Sequence, residues 1–157
     1  MKRFYLWLMA FVAILAITSC SKNDPVIFDG AFVYLADEQG NTSSTVDWDS
    51  QDYLGTYYVY LVTSTTGGDL NVDYELVVGE GLQANVDFKL ISSTASPLMF
   101  MSGIYKMPIR IEWLKHALDA KKNNSLSIVL TSCSDSRVVL GKPGPDHIGI
   151  KYTITKK

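Results

Sequence analysis

The densest run of chemically versatile side chains is residues 46–53 (VDWDSQDY), where Asp47, Trp48, Asp49, Asp52 and Tyr53 fall within one short segment. Two carboxyls held about 5 to 9 Å apart can serve as the acid and base of a glycoside hydrolase. A single small domain leaves little wall for the cleft such an enzyme needs, so hydrolysis ranks last. The same residues suit a gentler role. Flat apolar rings stack on the C–H faces of sugars while neighbouring polar groups take the hydroxyls, and a few such groups fix orientation. Trp48, Asp49, Asp52 and Tyr53 are therefore the candidate ligand-binding residues. The competing reading has Trp48 capping the core and the aspartates solvating a loop.

Other catalytic arrangements fail on inventory. His116 and His147 are the only two histidines, and neither belongs to an HExxH or HxH spacing. A Ser-His-Asp triad on a nucleophile elbow lacks its G-x-S-x-G, and one spare cysteine does not make a zinc site. Residues 141–147 (GKPGPDH) resemble a phosphate loop in outline only. Two prolines remove backbone N–H donors that such a loop depends on, so this is a rigid turn before the last strand. The expectation is a non-enzyme without metal or cofactor.

The two cysteines, Cys20 and Cys133, pose a separate question. Cys20 could be half of a disulfide, a metal ligand, a reactive thiol or a residue removed from the fold altogether. Its setting favours the last. Lys2 and Arg3 give a basic start, residues 6–17 (LWLMAFVAILAI) are apolar without a charge, and Thr18 and Ser19 are small. Twelve apolar residues are too few to span a bilayer core, which takes roughly 20 in a helix, and the pattern is that of an export signal. Ile17-Thr18-Ser19-Cys20 resembles the lipobox of bacterial lipoproteins. The resemblance implies that residues 1–19 are a signal peptide, that Cys20 is lipidated and becomes the N-terminus, and that Cys133 stays unpaired. Two or three acyl chains anchor stably where one binds only marginally.

Cleavage before Cys20 takes Lys2 and Arg3 away, so 12 of the 14 basic residues face all 16 acidic ones, a net charge of −4. An acidic surface argues against nucleic acid as a partner. Residues 20–29 begin as a polar tether up to Pro25. A short charged run after the cysteine resembles the surface-export signals of Bacteroidetes-type lipoproteins, which implies an outer-membrane protein on the cell surface rather than on the periplasmic face.

From residue 30 to residue 157 the chain reads as strands. Residues 57–63 (YYVYLVT) are strand formers throughout, bounded by Gly55 and a turn cluster at residues 66–69 (TGGD). Residues 70–78 alternate Leu70, Val72, Tyr74 and Leu76 with polar positions, and Ile109, Ile111 and Trp113 alternate with Arg110 and Glu112. Residues 31–35, 86–91, 98–101 and 126–130 are further short runs, and Ile148, Ile150, Tyr152 and Ile154 close the series. Such alternation puts one face in a core and one in water. The pattern predicts an all-β fold, an immunoglobulin-like two-sheet β-sandwich of about seven or eight strands. Residues 114–122 (LKHALDAKK) alone have helix-forming composition, predicting one short helical turn that packs Leu114, Ala117 and Leu118 on the sandwich end.

The order of these runs resembles the Calx-beta type of immunoglobulin-like domain. Residues 58–74 (YVYLVTSTTGGDLNVDY) look like that family's strand, Gly-containing hairpin and V-D-Y strand. Residues 81–88 (GLQANVDF) resemble its A-x-x-G-x-D-[YF] link, with Asn85 where a glycine is usual, and residues 98–103 (LMFMSG) resemble its L-x-F-x-x-G hairpin. Calcium in that family is held by acidic runs after the I-x-I strand; calcium takes six to eight oxygen ligands. Here those positions are WLKH and KKNN, so lysines stand where carboxylates would bind the ion, and no calcium cluster is expected.

Two functions from different classes remain. One is a membrane-anchored binding module that holds glycan for a polysaccharide-uptake system. The other is a structural or adhesin-type subunit docking another outer-membrane protein through an unpaired sheet edge.

Overall fold

The computed structural model describes residues 30–47, 49, 53–64 and 68–157. The export signal, Cys20, the tether, Trp48 and Asp52 lie outside the described residues. Among the described residues there are ten strands: β1 (Ala31–Ala36), β2 (Ser43–Val46), β3 (Tyr53–Val62), β4 (Leu70–Val78), β5 (Phe88–Leu90), β6 (Leu98–Phe100), β7 (Lys106–Trp113), β8 (Ser125–Cys133), β9 (Val138–Leu140) and β10 (Lys151–Lys156). They form two five-stranded sheets, one in the order β5-β7-β3-β1-β9 and the other β2-β10-β8-β4-β6. The result is a sandwich. Neighbours are antiparallel except at two edges, where β9 runs parallel to β1 and β2 parallel to β10.

Alternation explains the layering, because successive side chains of a strand leave opposite faces. Val33 and Leu35 of β1, Val59 of β3, Ile109 and Ile111 of β7 point inward and are fully buried. They meet Val72 of β4, Leu126 and Ile128 of β8, and Tyr152 and Ile154 of β10 from the opposite sheet, in one continuous core. Full burial of each such side chain contributes about 1.5 to 3 kcal/mol. Trp113 is also in this core, 2% exposed, and its indole N–H donates to the Tyr57 hydroxyl at 3.1 Å. The indole packs close to Gly55 of β3: a Cβ there would lie 2.6 Å from the Tyr57 hydroxyl and 3.1 Å from Trp113 Nε1. Only glycine leaves room for that pair.

All eight sequence-predicted runs have a counterpart strand, and β2 and β9 are the two additions, short edge strands of four and three residues. Their residues, SSTV and VVL, are too few to show a period. The expected helix is absent. Residues 114–119 run without regular structure and a turn follows at residues 120–121. The Leu114 carbonyl, which would take the first hydrogen bond of such a helix, accepts from Lys156 Nζ at 2.8 Å, and the Leu114 N–H holds the segment to the Asp87 carbonyl at 3.0 Å. Leu118 still packs against the core, whereas Ala117 is exposed. Ile148 is also a correction, 55% exposed, because β10 begins only at Lys151 after left-handed residues at His147 and Gly149. Asn85 has φ +65°, so it occupies the backbone region expected of a glycine at that position of the link, which Asn tolerates better than most residues. Cys133 ends β8 as a free, partly buried thiol, and burial pushes its pKa up.

Candidate binding face

Of the sequence-predicted ligand residues, Tyr53 and Asp49 are described. Tyr53 opens β3 opposite Trp113 and is 52% exposed. It lines an open cleft of about 440 Å³, together with Leu54, Thr56 and Tyr58 from β3, Ser44 and Thr45 from β2, and Asp37 and Glu38 after β1. Tyr57 and Tyr152 form its floor side, with ring centroids 5.0 Å apart. Asp49 is exposed but lines neither this cleft nor the groove at the other end of β1. That groove, about 460 Å³, is bordered by Leu61, Phe100, Met101, Ile104 and Tyr105.

Asp37 is a structural group of the cleft rim. Its Oδ1 accepts the backbone N–H groups of Gln39 and Asn41 at 2.9 and 2.8 Å, and Oδ2 accepts the Asn41 side-chain amide. Burial pushes its carboxyl up, but these donors outweigh burial and hold it below the usual range. Burial likewise raises the Tyr57 and Tyr152 phenols, so both stay protonated and available to donate. Glu38, by contrast, is exposed. Its Oε1 accepts from the Tyr58 hydroxyl at 2.9 Å and lies 3.5 Å from Lys106 Nζ.

Through Tyr58 the cleft continues onto the outward face of the sheet containing β1, β3 and β7. Tyr57 points inward at 4% exposure, so its neighbours Tyr58 and Tyr60 must point outward, where Phe32 and Tyr34 of β1 join them. Tyr34 and Tyr60 are register partners and stack across the strands, centroids 5.2 Å apart and planes 17° from parallel. Phe32 adjoins Tyr34 at 5.9 Å and Tyr58 adjoins Tyr60 at 6.0 Å, each tilted. A lysine stands at each end: Lys106 Nζ lies 3.6 Å from the centre of the Tyr58 ring, and Lys142 Nζ lies 4.6 Å from that of Tyr34. Burial alone would lower Lys106, but Tyr60, Tyr58 and Glu38 together raise it, so the ammonium is firmly charged. The face was not legible as a strip, because pairing β1 with β3 is a tertiary event; the alternation in residues 57–60 was its one local sign.

Between the loop before β5 and the segment after β7 lies a buried ion pair that sequence reasoning missed. Lys156 Nζ is 3.1 Å from Asp87 Oδ1, and the two side chains are 1% and 2% exposed. Nζ also donates to the Asp87 and Leu114 carbonyls. Asp87 Oδ2 accepts the Gln83 N–H at 2.8 Å, and His116 Nδ1 sits 3.0 Å from Oδ1. Burial favours the neutral Asp87, but the Gln83, Lys156 and His116 contacts outweigh it and depress its pKa. The inward phase of Lys156 with Tyr152 and Ile154 was the available signal. The pair ties Lys156 of β10 in one sheet to Asp87 just before β5 and Leu114 just after β7 in the other, so its role is to join the two sheets.

No group of three or more His, Cys, Asp or Glu suited to a metal ion occurs among the described residues. No family model matches the chain, and no curated protein matches it. Solved structures do. One is described as the calcium binding domain CBD12 of CALX1.1, with 16% identity, 79% of this chain and 43% of that one covered, and a TM-score of 0.49. Another is a two-domain protein of unknown function from Bacteroides fragilis, with 14% identity, 82% of this chain and 46% of that one covered, and a TM-score of 0.51. The chain spans less than half the length of either, and at this identity the second likeness speaks for the sandwich fold alone.

Proposed function

We propose that the protein is a lipid-anchored, non-catalytic binding module of the outer membrane, displayed on the cell surface, that holds glycan for a polysaccharide-uptake system. Acylated Cys20 supplies the anchor in this reading. The observation that carries the glycan part is the open cleft lined by the exposed Tyr53 ring together with Asp37, Glu38, Ser44, Thr45 and Thr56. An exposed ring among hydroxyl and carboxylate groups matches the mixed apolar and polar surface of a sugar. The competing reading, an assembly or adhesin-type subunit that docks another protein by strand addition, draws little support from the sheet edges. β5, β6 and β9 have three residues each and β2 has four, and very short edge strands are a device against such pairing.

Native affinity electrophoresis against a polysaccharide panel tests the proposal. Retardation by at least one glycan, lost in Tyr53→Ala and reduced in Trp48→Ala, is the expected result; unretarded migration on every glycan would remove it. Mass spectrometry of the processed chain tests the address separately, since an unmodified Cys20 or a retained Met1 contradicts the lipid anchor.

A further inference from the structure

The geometry points to an acidic polysaccharide, one bearing carboxylate or sulfate groups, as the ligand, held along the strip Phe32-Tyr34-Tyr60-Tyr58 between Lys106 and Lys142. This inference rests on the glycan reading above, names the class of glycan and extends its path from the Tyr53 cleft, through Tyr58, onto this strip. Its first support is ring orientation. Tyr34 and Tyr60 sit on adjacent strands and stack face to face at 5.2 Å, close to the spacing between strands, so their faces are turned toward each other along the sheet. The remaining faces at the ends are attended by ammonium groups, Lys106 over Tyr58 and Lys142 over Tyr34. A sugar therefore finds few open ring faces here. It meets ring edges, which carry the positive end of the aromatic quadrupole, and ammonium N–H donors. Both prefer an anion.

The second support is charge. The chain with Cys20 as its first residue is net acidic, yet this face is not. Lys106, Lys142, Arg110 and Lys89 lie on it against two carboxylates, Glu38 beside Lys106 and Glu112 opposite Lys89. A local positive patch on an acidic protein raises the concentration of polyanions there and turns cations away. Glu38 makes the inference sharply testable, because it competes with the ligand for Lys106. Replacing its charge while keeping its oxygen should strengthen binding, an outcome that a purely structural role for these residues would not produce.

The experiment is affinity electrophoresis and titration calorimetry on the full chain in detergent, with polygalacturonate, chondroitin sulfate, dextran and single-stranded DNA as probes. Polygalacturonate or chondroitin sulfate should bind, and more weakly as salt is raised. Lys106→Met with Lys142→Met should weaken that binding tenfold or more, and Glu38→Gln should tighten it severalfold, with circular dichroism unchanged in all variants. Dextran bound as well as the acidic polymers would overturn the acidic inference and leave the glycan reading standing. DNA bound as well as the acidic glycans would overturn it too, reducing the face to a cation exchanger. No binding to any of the four, with binding to other neutral glycans, overturns this inference alone; no glycan binding at all overturns both.

Discussion

Two lysine–carboxylate pairs in this protein have the same chemistry and opposite surroundings. Lys156 and Asp87 meet at 3.1 Å with 1% and 2% of their side chains exposed, whereas Lys106 and Glu38 meet at 3.5 Å with 40% and 61% exposed. The buried pair is saturated. Lys156 Nζ has three oxygen partners, and the Asp87 carboxylate takes Lys156, His116 and the Gln83 N–H. The exposed pair is loose, shares its carboxylate with Tyr58, and keeps part of its hydrogen-bonding capacity for water or a ligand. Burial decides which role a pair takes. Desolvation makes an unpaired partner costly inside and nearly free outside, so the inner pair fixes sheet-to-sheet geometry while the outer one is open to exchange.

The largest expected effect breaks the inner pair. Lys156→Met leaves a carboxylate buried without its cation and should destabilise the fold by about 3 kcal/mol or more, measured by urea unfolding. Adding Asp87→Leu to that variant should recover much of the loss; a double variant no more stable than the single one would show that the site cannot pack without charge. Gly55→Ala comes next. Its methyl would displace the Tyr57 hydroxyl from Trp113, and overpacking of this kind costs about 1 to 3 kcal/mol, readable as a lower urea midpoint and altered Trp fluorescence.

The pH response sharpens the comparison. Asp87 has a depressed pKa in the fold, so its contribution is complete above the unfolded carboxyl value of about 4 and is lost as pH falls through its lower folded value. Urea midpoints taken from pH 6 downward should drop below about pH 4, and less steeply in Lys156→Met, where Asp87 has lost its cation. The smallest effect belongs to the outer pair. Glu38→Gln should leave the urea midpoint where it is and change ligand affinity only; a midpoint shift comparable to that of Lys156→Met would abolish the distinction between the pairs.

The two outward sheet faces differ as the two pairs do. The sheet of β2, β10, β8, β4 and β6 turns out mostly polar residues such as Ser43, Asn71, Glu75, Lys151 and Thr155, with Val77 and Met99 as separate exposed apolar side chains. The other sheet turns out four aromatic rings in mutual contact. The eight longer or more apolar runs were legible because a period of two survives in any strand with one wet face. β2 and β9 were not: β5 and β6 are as short but fall inside the runs 86–91 and 98–101, whereas SSTV and VVL become strands only by lying beside β10 and β1. The helical composition of residues 114–122 misled because local propensity is weak against specific partners, and here Leu114 is held by Asp87 and Lys156 from distant parts of the chain.

Among the candidate residues, Tyr53 was legible as an aromatic in a polar segment, and the fold decided that its ring is exposed and lines a cleft with Asp37 and Glu38. The identity of eight of the ten strands, the inward and outward phase within most of them, the burial of Trp113 and the acidic balance of the chain are local or additive, and the sequence by itself determined them. The tertiary structure decided which outward residues became neighbours. Tyr34 meets Tyr60, Lys106 meets Glu38 and Lys156 meets Asp87 only once strands far apart in the chain are in register, because long-range pairing and the water it excludes are properties of the folded sheets rather than of any segment.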